Sequence, residues 1–128
     1  DVLDAGNFLT FGKFDTGLPA TWLAYDEAEL IGSISALLED SPEIADVPGP
    51  WLASFYIVPE ARGQGVAQAL MNAAAQAVAA LGYSGWYLFT ENHEDYYANA
   101  GWLLHERRQL HGQTVAVMWQ DLTSDAGA

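Results

Sequence analysis

The stretch that most constrains this chain lies near its middle. An almost wholly apolar and aromatic run, Trp51 to Val58 (WLASFYIV), ends at Pro59 and Glu60. A turn containing Gly63 and Gly65 follows. From Gly65 to Leu81, the apolar residues Val66, Leu70, Ala73, Ala74, Ala77, Val78 and Leu81 then recur at helical spacing. The apolar run reads as a central strand covered on both faces. The spacing predicts a helix, with Gly82 placed to close it. A buried strand that feeds a helix through a tight turn implies a sheet with one parallel crossover pair.

The flanking sequence fills in that sheet. Thr21 to Asp26 and Leu30 to about Glu39 read as two strands joined by the acidic turn Glu27-Ala28-Glu29. Residues 1 to 20 hold three glycines without a clean period and read as an irregular lead-in, with a short helix around Phe8 to Phe14. The segment from Asp40 to Pro50 holds three prolines and is a loop. After the helix, Gly85 to Phe89 reads as a strand and His93 to Ala100 as a short helix stopped by Gly101. Trp102 to Arg108 and Thr114 to Leu122 form a closing hairpin around Gly112, and 123–128 is a frayed tail. The order predicts an α/β fold: a mixed, mostly antiparallel central sheet flanked by helices.

A length of 128 residues suits one domain, 1–128, with one core. No apolar run approaches the roughly 20 residues that cross a bilayer, and the N-terminus lacks a basic segment followed by an apolar one; the expected setting is cytoplasmic, without a membrane partner. With no cysteine, disulfides, thiolate metal sites and a cysteine nucleophile are excluded. Seventeen acidic residues stand against Lys13, Arg62, Arg107 and Arg108, for a net charge of -13. Nucleic acid is therefore an unfit partner, because phosphate-backbone binding needs a basic surface. The acidic surface is either simply a solvated face or a means of gathering a cationic acceptor such as an amine.

The turn carries the chemistry. Glycines at 63 and 65 let an anion approach the main chain, and the helix N-terminus adds roughly half a positive charge, so the site suits a pyrophosphate held by backbone amides and Arg62. A P-loop needs a lysine after its last glycine, which is absent. A dinucleotide fingerprint needs a third glycine, which GQGVAQ lacks; Ala67 stands one position away from where it would substitute. The bland alternatives are an ordinary strand-to-helix turn and a surface arginine.

Here the chain resembles the GNAT acetyltransferase superfamily, whose acetyl-CoA signature [RQ]-x-x-G-x-[GA] lies between a central strand and a helix. Arg62, Gly65 and Ala67 fill it. The family's second block, aromatic-Tyr-x-x-x-Gly-aromatic, is matched by Tyr96 to Trp102 (YYANAGW), and the resemblance extends from about Thr21 to Leu122. It implies that the parallel pair splays and that coenzyme A enters the gap. Backbone groups of Phe55, Tyr56 and Ile57 then pair with the pantetheine arm. The turn Arg62, Gly63, Gln64, Gly65, Val66, Ala67 and Gln68 holds the pyrophosphate, and Asn92 contacts pantetheine or acceptor. Tyr97 is implied as the acid that protonates the leaving thiolate; its alternative is a core aromatic on a short helix.

The implied activity is N-acetyl transfer from acetyl-CoA, as co-substrate, to a small-molecule or peptide primary amine by direct attack, without a metal. The oxyanion that forms is met by a strand N-H near Tyr56 or Ile57. Trp51 to Val58 holds no carboxylate, so the general base is open among Glu91, His93, Glu94, Glu39, Asp46 and a water chain. His93 is equally readable as an exposed or capping residue. His105 and His111 lack a third partner at metal-ligand spacing. Only about 20 residues precede the first hairpin, where the family has a strand and two helices, so either the acceptor region is short or part of it lies outside this sequence. The oligomeric state is open; a shortened N-terminus would expose apolar surface for a second copy to cover, which makes a homodimer one expected state. The rival reading is a non-catalytic acyl-CoA-binding or regulatory domain with the same cleft.

Overall fold

The computed structural model describes residues 9–10, 18–38 and 46–123. Its sheet has seven strands: β1 (Leu9–Thr10), β2 (Ala20–Asp26), β3 (Glu29–Leu37), β4 (Trp51–Ile57), β5 (Gly85–Thr90), β6 (Leu103–Leu110) and β7 (Gln113–Asp121). They stand in the order β1-β2-β3-β4-β5-β7-β6. Every neighbouring pair is antiparallel except β4 and β5. Between these two lies α1 (Val66–Ala80), and α2 (Glu94–Asn99) links β5 to β6. The mixed, mostly antiparallel sheet with a single parallel crossover matches the expected class.

Alternation sets which face each strand buries. Along β2, Ala20, Trp22 and Ala24 point into the core, and along β5, Trp86, Leu88 and Thr90 do so. The same side receives Val66, Leu70, Met71, Ala74 and Val78 of α1, so one apolar stripe on the helix covers the sheet on both sides of the parallel pair. Alanine at 74 lets the helix lie close, and Gly32 makes room for the seam: a Cβ there would sit 2.7 Å from Ile57 Cδ1 and 3.1 Å from Leu70 Cδ1. A second cluster on the opposite face gathers Val47, Trp51, Leu110, Val115 and Val117, with Tyr87 and Phe89 against it.

Three expectations change. The lead-in contributes a strand at Leu9–Thr10, paired with Leu23 and Ala24, where a helix was expected; the rest of that helix lies outside the described residues. The second strand ends at Leu37, and Glu39 lies outside the described residues. The run Trp51 to Val58 is buried on both faces only at its start: Trp51 and Leu52 are enclosed, whereas Ser54 and Tyr56 are exposed. The cause is a bulge. Ser54 takes a φ of 53°, and the pairing with β3 slips between Ser33 and Ser35, which bends the strand and changes what its far half faces.

Candidate active site

The bend in β4 opens the site. Parallel pairing with β5 is registered at Trp51 and Tyr87 alone, supported by the Tyr87 N-H donating to the Pro50 carbonyl at 2.8 Å. Beyond that point the two strands part. Phe55 to Ile57 stay bound to β3, through Tyr56 opposite Ser33 and Ile57 opposite Gly32. Their other edge faces the gap rather than a β5 partner.

The strand then meets the glycine turn. Pro59–Ala61 forms a single helical turn, closed by the Ala61 N-H on the Val58 carbonyl at 3.0 Å and the Arg62 N-H on the Pro59 carbonyl at 3.2 Å. Gly63 and Gly65 have φ of 78° and 85°, a left-handed backbone that β-carbons resist, and this turns the chain into α1. The first helical bond runs from the Ala69 N-H to the Gly65 carbonyl at 3.0 Å, which leaves the amides of Val66, Ala67 and Gln68 without helical acceptors. No side chain caps this end, and its first turn holds no acidic residue. These donors are therefore available to an anion.

Arg62 secures the junction. Its Nε donates to the Ile57 carbonyl at 2.9 Å, and its guanidinium carbon lies 5.6 Å from the Tyr56 ring centre. On the far side stands α2. The His93 N-H donates to Thr90 Oγ1 at 3.0 Å and the His93 carbonyl accepts from the Tyr97 N-H at 3.1 Å, placing His93 and Tyr97 one turn apart. Gly101, with φ of 100°, ends the helix so that the Trp102 N-H returns to the Tyr97 carbonyl at 3.0 Å. Trp102 is buried and donates to Met71 Sδ at 3.4 Å, and its ring holds Tyr97 edge-on at 6.1 Å. Hence the Tyr-x-x-x-Gly-Trp spacing: the glycine folds the tryptophan under the tyrosine it fixes. Burial, together with neighbouring Tyr96, pushes the Tyr97 phenol above its ordinary range.

These parts enclose a cleft of about 600 Å³. Of the residues expected at the cofactor, Phe55, Tyr56, Ile57, Arg62, Gly63, Gly65, Ala67 and Gln68 line it, and so does Tyr97. Three do not. Gln64 folds back to donate to the Glu60 carbonyl at 3.2 Å, the Val66 side chain is sunk in the core, and Asn92 is exposed outside the cleft. The wall near Tyr97 belongs instead to His93 and Tyr96, and Ala61 completes the floor. The one-turn spacing of His93 from Tyr97 was the signal for the first of these. Phe55 and Tyr97 also border a second hollow of about 270 Å³ between the parted strands, lined by Leu52, Ala53, Ser54, Leu88 and Phe89.

The base candidates sort themselves by partner. Asp46 is gripped by Arg108 at 2.7 and 2.8 Å, which holds its carboxyl down at about 2. Glu94 is held by Arg107 at 2.7 and 3.0 Å and is likewise lowered. Glu91 is exposed and does not line the cleft. Among the described candidates only His93 does.

Residues 4–102 match the model of the acetyltransferase (GNAT) family. The chain belongs to that family. Solved structures agree on the fold. The GCN5-related N-acetyltransferase from Rhodopseudomonas palustris superposes with a TM-score of 0.63 at 17% identity, over 80% of this chain and 61% of that one. An aminoglycoside 6'-acetyltransferase type Ii gives 0.66 at 22%, over 80% and 68%. The N-acetylglutamate synthase from Neisseria gonorrhoeae, complexed with coenzyme A and N-acetyl-glutamate, gives 0.66 at 14%, over 80% and 25%. This GNAT chain thus spans less than two thirds of the first of these relatives. No curated protein sequence matches it significantly.

Proposed function

We propose that the cleft binds acetyl-CoA and that the protein transfers the acetyl group to a primary amine. One observation carries the reading. A turn with three free helix amides and Arg62 opens onto a gap between parted strands, and the gap leads to a half-buried tyrosine. The diphosphate fits the amides of the turn, and the free edge of Phe55 to Ile57 offers backbone partners to the amides of a pantetheine arm. The co-substrate supplies an activated acyl carbon. Strand N-H groups near Tyr56 and Ile57 are the donors for charge building on its carbonyl oxygen. Tyr97, protonated at neutral pH, gives its proton to the departing sulfur.

The acceptor must arrive uncharged. An alkyl amine with a pKa near 10.4 is neutral in only about one molecule in 2,500 at pH 7, a cost of roughly 4.6 kcal/mol. His93 lines the same cleft as Tyr97, and its imidazole is the group placed there to take up the amine's proton. The amine itself is read from the family, from the aminoglycoside enzyme that the fold resembles, and from the net charge of -13.

A second reading, an acyl-CoA-binding domain without catalysis, is favoured by one fact: Asp46 and Glu94 are both locked in ion pairs and β4 carries no carboxylate. Free-thiol release from acetyl-CoA with a panel of amines, read beside calorimetric binding, separates the two. Transfer predicts amine-dependent thiol release that Tyr97→Phe lowers. Tight binding with no release by any amine, unchanged in Tyr97→Phe, would instead support the binding domain.

A further inference from the structure

Coenzyme A carries two separate anionic groups, a diphosphate and a ribose 3'-phosphate. The described residues of this protein are poorly equipped to meet both. Of its four basic residues, Arg107 is engaged with Glu94, and Arg108 with Asp46 and with Glu106 at 2.6 Å. Lys13 lies outside the described residues. Arg62 is the one cation that lines the cleft among the described residues, and it sits at the glycine turn with its Nε already on Ile57.

Among the described residues, the surroundings of the turn add nothing positive. Helix α1 has no charged residue in its whole length. Its exposed side chains nearest the turn are Gln68 and Asn72, which bond each other at 2.9 Å, and the lip of the turn carries Glu60. The free amides of Val66, Ala67 and Gln68, with Arg62, suffice for one diphosphate. A further dianion would meet neutral amides, a carboxylate and the field of a protein with net charge -13.

On the reading that the cleft binds an acyl-CoA, we propose that it recognises the diphosphate and not the ribose 3'-phosphate. Acetyl-dephospho-CoA should then serve as well as acetyl-CoA. The ionic-strength response follows from the same charges. A basic phosphate site loses affinity as salt is added. Here salt screens a net repulsion, so the affinity for coenzyme A holds or rises.

The test is calorimetric titration with coenzyme A and with dephospho-CoA, at about 20 mM and about 300 mM sodium chloride, a range over which the screening length falls several-fold. Expected are dissociation constants within about threefold of each other at both salts, where a single charge-assisted contact to the 3'-phosphate would give tenfold or more. The value for coenzyme A should not weaken with salt. A preference for coenzyme A of about tenfold or more, eroded by salt, overturns the proposal while leaving the cleft's assignment intact; Lys13→Ala then shows whether Lys13 is the cation responsible. Binding of neither ligand overturns both.

Discussion

Arg62 joins two requirements in one side chain. Its Nε holds the last carbonyl of β4, and its guanidinium, over the Tyr56 ring, lines the cleft. Arg62→Ala should weaken coenzyme A about tenfold to a hundredfold by calorimetry, the loss expected for one or two charge-assisted hydrogen bonds. Because the arginine is exposed, the melting temperature should move little. Tyr97 calls for a different measurement. A phenol raised by burial stays protonated through neutral pH and ionises only above its usual value of about 10, so any loss of turnover caused by its ionisation lies on the alkaline side of that point. Tyr97→Phe should cut kcat by roughly 10²- to 10⁴-fold with the coenzyme A affinity nearly unchanged. An alkaline limb near pH 8 that persists in the phenylalanine variant would assign the titration to another group.

At the scale of elements, α1 is the part on which the site depends. Its N-terminus supplies the amides, and Leu70, fully buried against β3 and β4, fixes where they point. Leu70→Ala should cost about 2–5 kcal/mol in urea unfolding and weaken ligand binding even though Leu70 touches no part of the cleft. This helix was also the most legible element: apolar spacing placed it at 65–81, and it runs from Val66 to Ala80. The turn was legible for the same local reason, since glycine at 63 and 65 is demanded by backbone angles within the turn itself. What escaped the sequence was non-local. The bulge at Ser54 depends on how β4 registers against β3, so an apolar run looked enclosed on both faces although Tyr56 faces out. Leu9–Thr10 was hidden because two residues carry no period, and their strand exists only through β2. Gln64 and Asn92 were assigned by motif position, and the direction of a side chain leaving a turn is decided by tertiary packing; Val66 buries its side chain but still presents its amide at the turn.

For the molecule as a whole, charge is the dominant trait, and among the described residues Arg107 and Arg108 act as clamps. Arg108 ties Asp46, which precedes β4, to the closing hairpin, while Arg107 ties α2 to β6. A carboxyl whose folded pKa is depressed stabilises the fold above its unfolded value and loses that contribution as the pH drops through the folded value. For Asp46 the window runs from about 3.8 down to about 2. Asp46→Asn should therefore flatten part of the acid limb of a melting-temperature profile in that window. Its effect at pH 7 should shrink as salt is added, because the aspartate is exposed.

The sheet is, in its hydrogen bonding, two half-sheets. β1 to β4 form one and β5, β7 and β6 the other, and a single registered pair at Trp51 and Tyr87 stitches them together. In amide hydrogen-deuterium exchange, the main-chain N-H groups of Phe55 to Ile57 that face the gap should therefore exchange fast although they lie in the middle of a seven-stranded sheet. A ligand arm laid along that edge would act as an inserted strand and slow them, whereas the amides of β6 and β7, already paired along their length, should keep their rates. The polypeptide leaves its own sheet unfinished, and the seam is where a guest completes it.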